Sequence, residues 1–449
     1  MNTKWKAIYQ SPSRVLVLSF LLVIILGTVL LYMPAAGAGG QSMGFIDALF
    51  TATSAVCVTG LTVVDTGTWL SRLGQTILIC LVQIGGLGLM TMSTLIFLLL
   101  GKKITLRERL LIKEALNQHD LQGVVKLTRH ILLITFLIEA AGAIMLSFRF
   151  VPMFGWGTGI YYSIFHSVSA FCNAGFDLMG HHSGLTGFAG DIAVNLIILG
   201  LIVLGGLGFT VIMDLYRNGL KIRKWSLNTR IVIVTTIALA LSGAVFFILA
   251  EHNNPETMGH LSLGEKGLAA LFLSAGSKTA GMNTVGISGL ANASKFVMIL
   301  LMFIGASPSS MGGGIKTTTF SVILLMVWSV IKGQDDIVVH KKCIPVSTAM
   351  RALAIAMISL LALAVVTTVL SMVEQAPFLD IMFQSASDLG TTGLAVMDIA
   401  GMSDISKLIL VLSMFMGRVG PLSLTLAIAR KQSLAVNNIR YPEERIMVG

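Results

Sequence analysis

Residues 57–61 read "CVTGL", a threonine and a glycine set between two oily runs. Thr59–Gly60 is a poor helix former in such a place. Backbone that is not helical is tolerated at membrane depth only where it is buried in protein or lines a wet cavity. The stretch is not alone. "FTATSAVCVTGL" (Phe50–Leu61) is echoed by "FHSVSAFCNAGF" (Phe165–Phe176), "FLSAGSKTAGM" (Phe272–Met282) and "FQSASDLGTTGL" (Phe383–Leu394). Each copy closes on a small or polar residue, a glycine and a large apolar residue, the glycines being Gly60, Gly175, Gly281 and Gly393. In three copies a phenylalanine stands ten residues before the glycine and a serine six before it. In the third the phenylalanine stands nine before, one residue tighter.

A second landmark follows each copy: "VQIGGLGLMT", "IVLGGLGFTV", "MFIGASPSSMGGGIKTTTF" and "MFMGRVGPLSL". From loop glycine to first helix glycine the steps are 60→85, 175→205, 281→305 and 393→417. Matching landmarks at a period of about 110 residues are the signature of an internal repeat.

The surroundings are membrane-like. Of 449 residues 55% are hydrophobic and 12% charged, with a mean hydropathy of +0.86, which excludes an ordinary soluble domain. Charge-poor runs long enough to span occur at Val15–Met33, Thr76–Leu100, Ile131–Phe148, Ile192–Met213, Ile231–Ala250 and Ala352–Val373. Two interrupted runs lie near Phe296–Ile331 and Leu408–Ala429. Val15–Met33 follows Lys4, Lys6 and Arg14 as a signal peptide would, but its length suits a span. The expected fold is therefore an all-α integral membrane protein of four helix–pore loop–helix repeats with eight spans. The repeats fall at 1–101, 102–215, 216–332 and 333–430, with a cytoplasmic tail at 431–449. Two spans per unit make the repeats parallel, around a central pseudo-four-fold pore.

Charge placement gives the orientation. Three Lys/Arg precede the first span, seven lie in 101–130, five in 215–230, four in 331–351 and four from 430 onward, together 23 of the 31. Those segments, and both termini, belong on the cytoplasmic side, and this clustering beside spans accounts for the net charge of +10 without nucleic acid. The short segments then enter from outside, where Asp65, Asp177 and Asp398 follow three of the glycines and favour cations. Asp47 and Asp380, just before two of the short helices, fit helix caps. The four cysteines, Cys57, Cys80, Cys172 and Cys343, show no metal or disulfide spacing.

Four such loops sharing one cavity can replace the hydration shell of a monovalent cation with carbonyl oxygens. Glycine permits the angles that turn carbonyls inward, and each short helix points its negative C-terminal end at the centre. The expected filter residues are Val58, Thr59 and Gly60; Asn173, Ala174 and Gly175; Thr279, Ala280 and Gly281; and Thr391, Thr392 and Gly393. "GASPSSMGGGIKTTTF" (Gly305–Phe320) interrupts a span that no helix can cross intact. It is not a phosphate loop, because Ile315 separates the glycines from Lys316 and no strand precedes it. It reads either as a kinked helix with a glycine-rich packing face or as a loop that blocks ions. No HExxH, GxSxG or paired-carboxylate constellation suggests an enzyme. A secondary transporter coupling a cation to a small solute is the alternative class, against which parallel repeats weigh.

The four units, the "VTGL" loop and the "QIGGLG" after it resemble the Trk/Ktr/HKT potassium-transporter superfamily across essentially the whole chain. The absence of extra N-terminal spans and the ending "NIRYPEERIMVG" are most similar to Ktr membrane subunits of the KtrB/KtrD type. The resemblance implies potassium uptake across the bacterial cell membrane, with potassium bound at the filter and sodium a candidate second ion. It implies a homodimer with one pore per protomer and a cytoplasmic nucleotide-binding ring subunit of the KtrA/KtrC type, the nucleotide resting on that partner only. It also makes Ala306, Ser307, Pro308, Ser309, Ser310, Met311, Gly312, Gly313 and Gly314 an intramembrane gate. Arg418 then projects into the pore and holds that loop closed, while Lys316 is either a second barrier or a cytoplasmic anchor. Lys278 is expected to tie down its pore helix, Glu139 to be paired within the bundle, and His166 to be hydrogen-bonded in the core. The basic segment Gly101–His130 is a candidate for contact with anionic lipid or a partner.

Overall fold

The computed structural model describes residues 12–88, 124–180, 184–334 and 336–420. Most of the basic segment 101–130, the tail 431–449 and the ends of the runs reaching Leu100 and Ala429 lie outside the described residues. Repeat 1 contributes α1 (Pro12–Tyr32), α2 (Phe45–Cys57) and α3 (Arg72–Leu87). Repeat 2 contributes α4 (Val124–Phe154), α5 (Trp156–Phe171), α6 (Ile192–Leu207) and α7 (Phe209–Asn218). Repeat 3 contributes α8 (Leu227–Glu251), α9 (Leu263–Gly276), α10 (Asn292–Ile304) and α11 (Thr317–Ile331). A two-stranded hairpin of β1 (Ile337–Val339) and β2 (Lys342–Ile344) leads to α12 (Val346–Val373), α13 (Phe378–Gly390) and α14 (Asp404–Val419) of repeat 4.

Among the described residues α4, α8 and α12 are each long and apolar enough to cross a membrane, and the bent pair α6–α7 is a fourth if taken together. The helices α2, α5, α9 and α13 carry the four recurring segments. Their shared phenylalanines, Phe50, Phe165, Phe272 and Phe383, are all fully buried. Lipid offers no hydrophobic drive for helices to associate, so close packing and polar contacts must hold the bundle. Small residues supply the closeness: a Cβ placed on Gly142 of α4 would stand 2.5 Å from Ser167 Oγ of α5.

The third helices begin on sequence-encoded caps. Ser71 accepts from Gly74 N, Asp191 from Val194 N and Ser403 from Ser406 N. Repeat 3 has Ala291 at this position, and its amide donates to Glu251 Oε1 at 3.0 Å instead. Asp47 and Asp380 are not caps. They sit in the first turns of α2 and α13, whose N-caps are Gly44 and Pro377, and both carboxylates are engaged by lysines of other helices.

The expected continuous span Ile192–Met213 is broken. At Gly208, with φ 87° and ψ 143°, the chain bends by 99° between α6 and α7. The helices of repeats 1 and 4 end on the same conformation, at Gly88 (φ 80°, ψ 141°) and Gly420 (φ 87°, ψ 132°). Each of these glycines follows the first helix glycine by three residues. In repeat 3 the break comes earlier, at Gly305, and the helix resumes at Thr317.

Candidate functional site

The four loops meet. Gly60, Gly175, Gly281 and Gly393 all have positive φ, at 93°, 78°, 64° and 87°. Side chains are excluded there for a second reason, which also defines the arrangement. A Cβ on Gly60 would collide with the Ala174 carbonyl, one on Gly281 with the Thr392 carbonyl and one on Gly393 with the Thr59 carbonyl. A Cβ on Gly175 would stand 2.9 Å from the Ala280 carbonyl oxygen. Each glycine therefore lies against the carbonyl of the residue before the next loop's glycine, and the sequence of contacts closes from repeat 4 back to repeat 1.

The way each loop leaves its helix sets those carbonyls. In three copies the residue two before the glycine is left-handed without being glycine: Val58 (φ 58°), Asn173 (φ 56°) and Thr391 (φ 49°). Such conformations are costly for branched residues and persist only where the surroundings enforce them. Here the following amide returns to a serine carbonyl five residues back, at 2.8 Å in each case: Thr59 to Ser54, Ala174 to Ser169 and Thr392 to Ser387. The same serines work again through their hydroxyls. Ser54 Oγ accepts from Gly60 N and Ser387 Oγ from Gly393 N, both at 3.1 Å, while Ser169 Oγ donates to the Phe176 carbonyl at 2.7 Å. The hydroxyls of Thr59 and Thr392 are buried and have no hydrogen-bond partner among the described residues.

Outside the ring of glycines lies a cavity of about 430 Å³, lined by all four glycines together with Asp65, Asp177 and Asp398. The three acids proposed from their places beyond the glycines thus share one vestibule. Asp65 accepts from Thr68 N and Oγ1, Asp177 from Met179 N and Asp398 from Ala400 N, so each carboxylate is oriented by its own turn.

Inside the ring lies the Gly305–Lys316 segment. Its backbone is tied to repeat 2: Ser307 N donates to the Gly206 carbonyl, Met311 N to that of Gly205, and Phe209 N to that of Ser309. Three successive residues are then held by three different groups. The Met311 carbonyl accepts from the Arg418 guanidinium. The Gly312 carbonyl accepts from Lys316 Nζ at 2.8 Å. The Gly313 amide donates to Thr391 Oγ1 at 2.9 Å, a direct link to the fourth glycine loop. A Cβ on Gly312 would stand 2.5 Å from Thr279 Cγ2, so the loop also abuts the third glycine loop. Arg418 reaches further, to the carbonyls of Gly85 and Gly86 in α3. It spans repeats 1, 3 and 4, and neither a lone snorkelling arginine nor a merely kinked helix describes this region. Lys316 is bound within the loop itself.

The remaining sequence candidates have mostly structural places. His166 Nε2 accepts from Leu178 N at 3.3 Å and its Nδ1 lies 2.7 Å from the Tyr162 carbonyl, so both nitrogens are used. Glu139 is paired, but with an amide: Gln83 Nε2 donates to its two oxygens at 3.0 and 3.2 Å. Lys278 is buried, and among the described residues its ammonium makes no hydrogen bond or ion pair, so the expected tie is not formed. All four cysteines are free. The sequence reading did not identify the Asn173 side chain, which meets Thr279 Oγ1 at 2.6 Å and joins the second and third glycine loops. With its amide oxygen accepting from Thr279, its nitrogen reaches the carbonyls of Ala170, Phe171 and Ile202.

Residues 3–437 match the TrkH family, described as cation transport proteins. The Ktr system potassium uptake protein B of Bacillus subtilis (strain 168) is 40% identical, over 99% of this chain and 98% of that protein. The potassium/sodium uptake protein NtpJ of Enterococcus hirae is 36% identical, over 98% of this chain and 97% of its own. In fold, the crystal structure of the potassium transporter TrkH from Vibrio parahaemolyticus superimposes with a TM-score of 0.69 at 21% identity, covering 92% of this chain and 84% of that one. The chain belongs to the TrkH family of cation transport proteins.

Proposed function

We propose that this protein carries potassium ions into a bacterial cell through a filter made of Val58–Gly60, Asn173–Gly175, Thr279–Gly281 and Thr391–Gly393. The observation that carries the reading is the closed cycle of loops, in which each filter glycine lies against a carbonyl of the next loop. Carbonyls so placed replace the water of a monovalent cation, and the three vestibule carboxylates draw cations to its outer mouth. The names of the relatives support potassium as the ion, with sodium as a second candidate.

In this reading the chain crosses the membrane eight times, in parallel repeats at 1–101, 102–215, 216–332 and 333–430, with both termini and the tail 431–449 cytoplasmic. Residues 306–314 form the gate, and Lys316 and Arg418 hold it shut from two sides. Two copies associate, each with its own pore, in contact with membrane lipid. A cytoplasmic ring subunit of the KtrA/KtrC type binds nucleotide and controls the gate, a role that the Ktr naming of the relatives supports.

Rescue of a potassium-uptake-deficient bacterium on low potassium tests the proposal. The chain, expressed with a cognate ring subunit, restores growth, and Gly60→Ser, with its added side chain against the Ala174 carbonyl, restores it less well. Failure of the expressed wild type overturns the reading.

A further inference from the structure

Two ion pairs join one repeat to the next, and they occupy equivalent places. Lys407, in the first turn of α14, donates to Asp47 Oδ1 in the first turn of α2 at 2.8 Å. Lys295, in the first turn of α10, donates to Asp380 Oδ1 in the first turn of α13, also at 2.8 Å. Each acid stands thirteen residues before its filter glycine, Gly60 or Gly393. Each lysine stands ten before the first glycine of its own helix, Gly417 or Gly305. One contact is thus made twice, at the seam between repeats 3 and 4 and at the seam between repeats 4 and 1.

The other two seams are built differently. The residues at the lysine position of α3 and α6 are Gln75 and Asn195, and their amides turn back to carbonyls of their own repeats, such as Leu70 and Phe188. At the acid position repeat 2 has Tyr162. The ion pairs are therefore not a general feature of the scaffold. They flank repeat 4 on both sides.

Their positions are informative. An ammonium in the first turn of a helix faces the positive end of the helix dipole, so helix stability does not explain it. The two lysine side chains are only 7% and 10% exposed, and a charge so enclosed requires its partner. Each acid sits at the far end of a pore helix whose near end presents filter carbonyls. Thirteen residues of α2 span about 20 Å as one stiff rod, so a shift at Asp47 is carried to Thr59.

We propose that Lys407–Asp47 and Lys295–Asp380 are positioning pairs that fix the pore helices of repeats 1 and 4 and thereby set the filter's preference for potassium over sodium. The inference rests on the filter reading above. The test is competitive potassium and sodium uptake by purified, monodisperse protein in liposomes. Lys407→Ala and Asp47→Asn each lose potassium preference, with sodium uptake rising relative to potassium. The swapped pair Asp47→Lys with Lys407→Asp restores the preference. Where a single variant does not fold, the neutral pair Asp47→Asn with Lys407→Gln, which keeps a hydrogen bond across the seam, takes its place and retains more preference than Asp47→Ala with Lys407→Ala. Folded single variants with the wild-type ratio overturn the proposal. So does equal loss of both ions at an unchanged ratio, which marks a purely structural pair. A wild type that carries no potassium at all fails the filter reading itself, a distinct result.

Discussion

Repeat 3 departs from the other three at the two places where they agree with one another. Repeats 1, 2 and 4 leave the pore helix through a left-handed residue and an amide that reaches back five residues. Repeat 3, one residue shorter, has no room for that turn. Ala280 N bonds the Gly276 carbonyl four residues back, and Thr279 is not left-handed. The helices that follow diverge as well. In repeats 1, 2 and 4 the first glycine of the helix is pressed against its own pore helix, where a Cβ on Gly85, Gly205 or Gly417 would collide with the carbonyl of Val56, Phe171 or Leu389. Those helices then continue for two more residues before the non-helical glycine. In repeat 3 the corresponding Gly305 turns to φ 62°, the helix stops, and the segment that follows lies against Thr279 and Thr391 beside the ring of glycines. A shared framework thus gives three helices that run on past their first glycine and one that gives way to a loop beside the ring of glycines.

The comparison breaks most severely at the glycines. Gly393→Ala places a methyl against the Thr59 carbonyl at a φ that alanine resists, and potassium uptake is expected to be abolished. Gly281→Ala is expected to do the same despite its different turn. If it keeps wild-type uptake while Gly393→Ala does not, repeat 3 is no part of the ring. Arg418→Gln has the next largest effect. It removes the guanidinium from the carbonyls of Met311, Gly85 and Gly86, and charge-assisted bonds of this kind are worth about 1.5–3 kcal/mol each. Faster potassium uptake and a lower thermal midpoint are expected together, and slower uptake in a folded variant removes Arg418 from the gate. Thr391→Val is the mildest. Val58 holds the same left-handed place in repeat 1, so the shape is tolerated, but Gly313 N loses its acceptor at a cost of about 1–3 kcal/mol. A modest rise in uptake with a loss of stability smaller than that of Arg418→Gln is expected, and uptake equal to wild type removes the hydroxyl's role in holding the gate.

Much of this was legible in the sequence because the strongest steric demands leave the clearest letters. A loop that must turn left-handed beside a neighbouring carbonyl accepts only glycine, and four glycines at matching steps followed. The buried phenylalanine ten residues earlier and the tighter third copy were equally readable, and the latter marks the turn that differs. The bend at Gly208 and the non-helical glycines Gly88 and Gly420 were missed because an apolar run stays apolar through a change of φ and ψ. The signal was the glycine three residues after the first, in "GGLG" and "GRVG". The seam pairs were missed because their partners lie 360 and 85 residues apart, where no local pattern connects them. Asp47 and Asp380 looked like caps for the same reason.

The central claim is that repeat 3 supplies the gate of a filter to which all four repeats contribute. It is tested most directly by potassium uptake into liposomes containing purified protein with and without residues 306–314. Faster uptake by the well-folded deletion is the expected result. Unchanged or slower uptake by a deletion that remains folded contradicts the account.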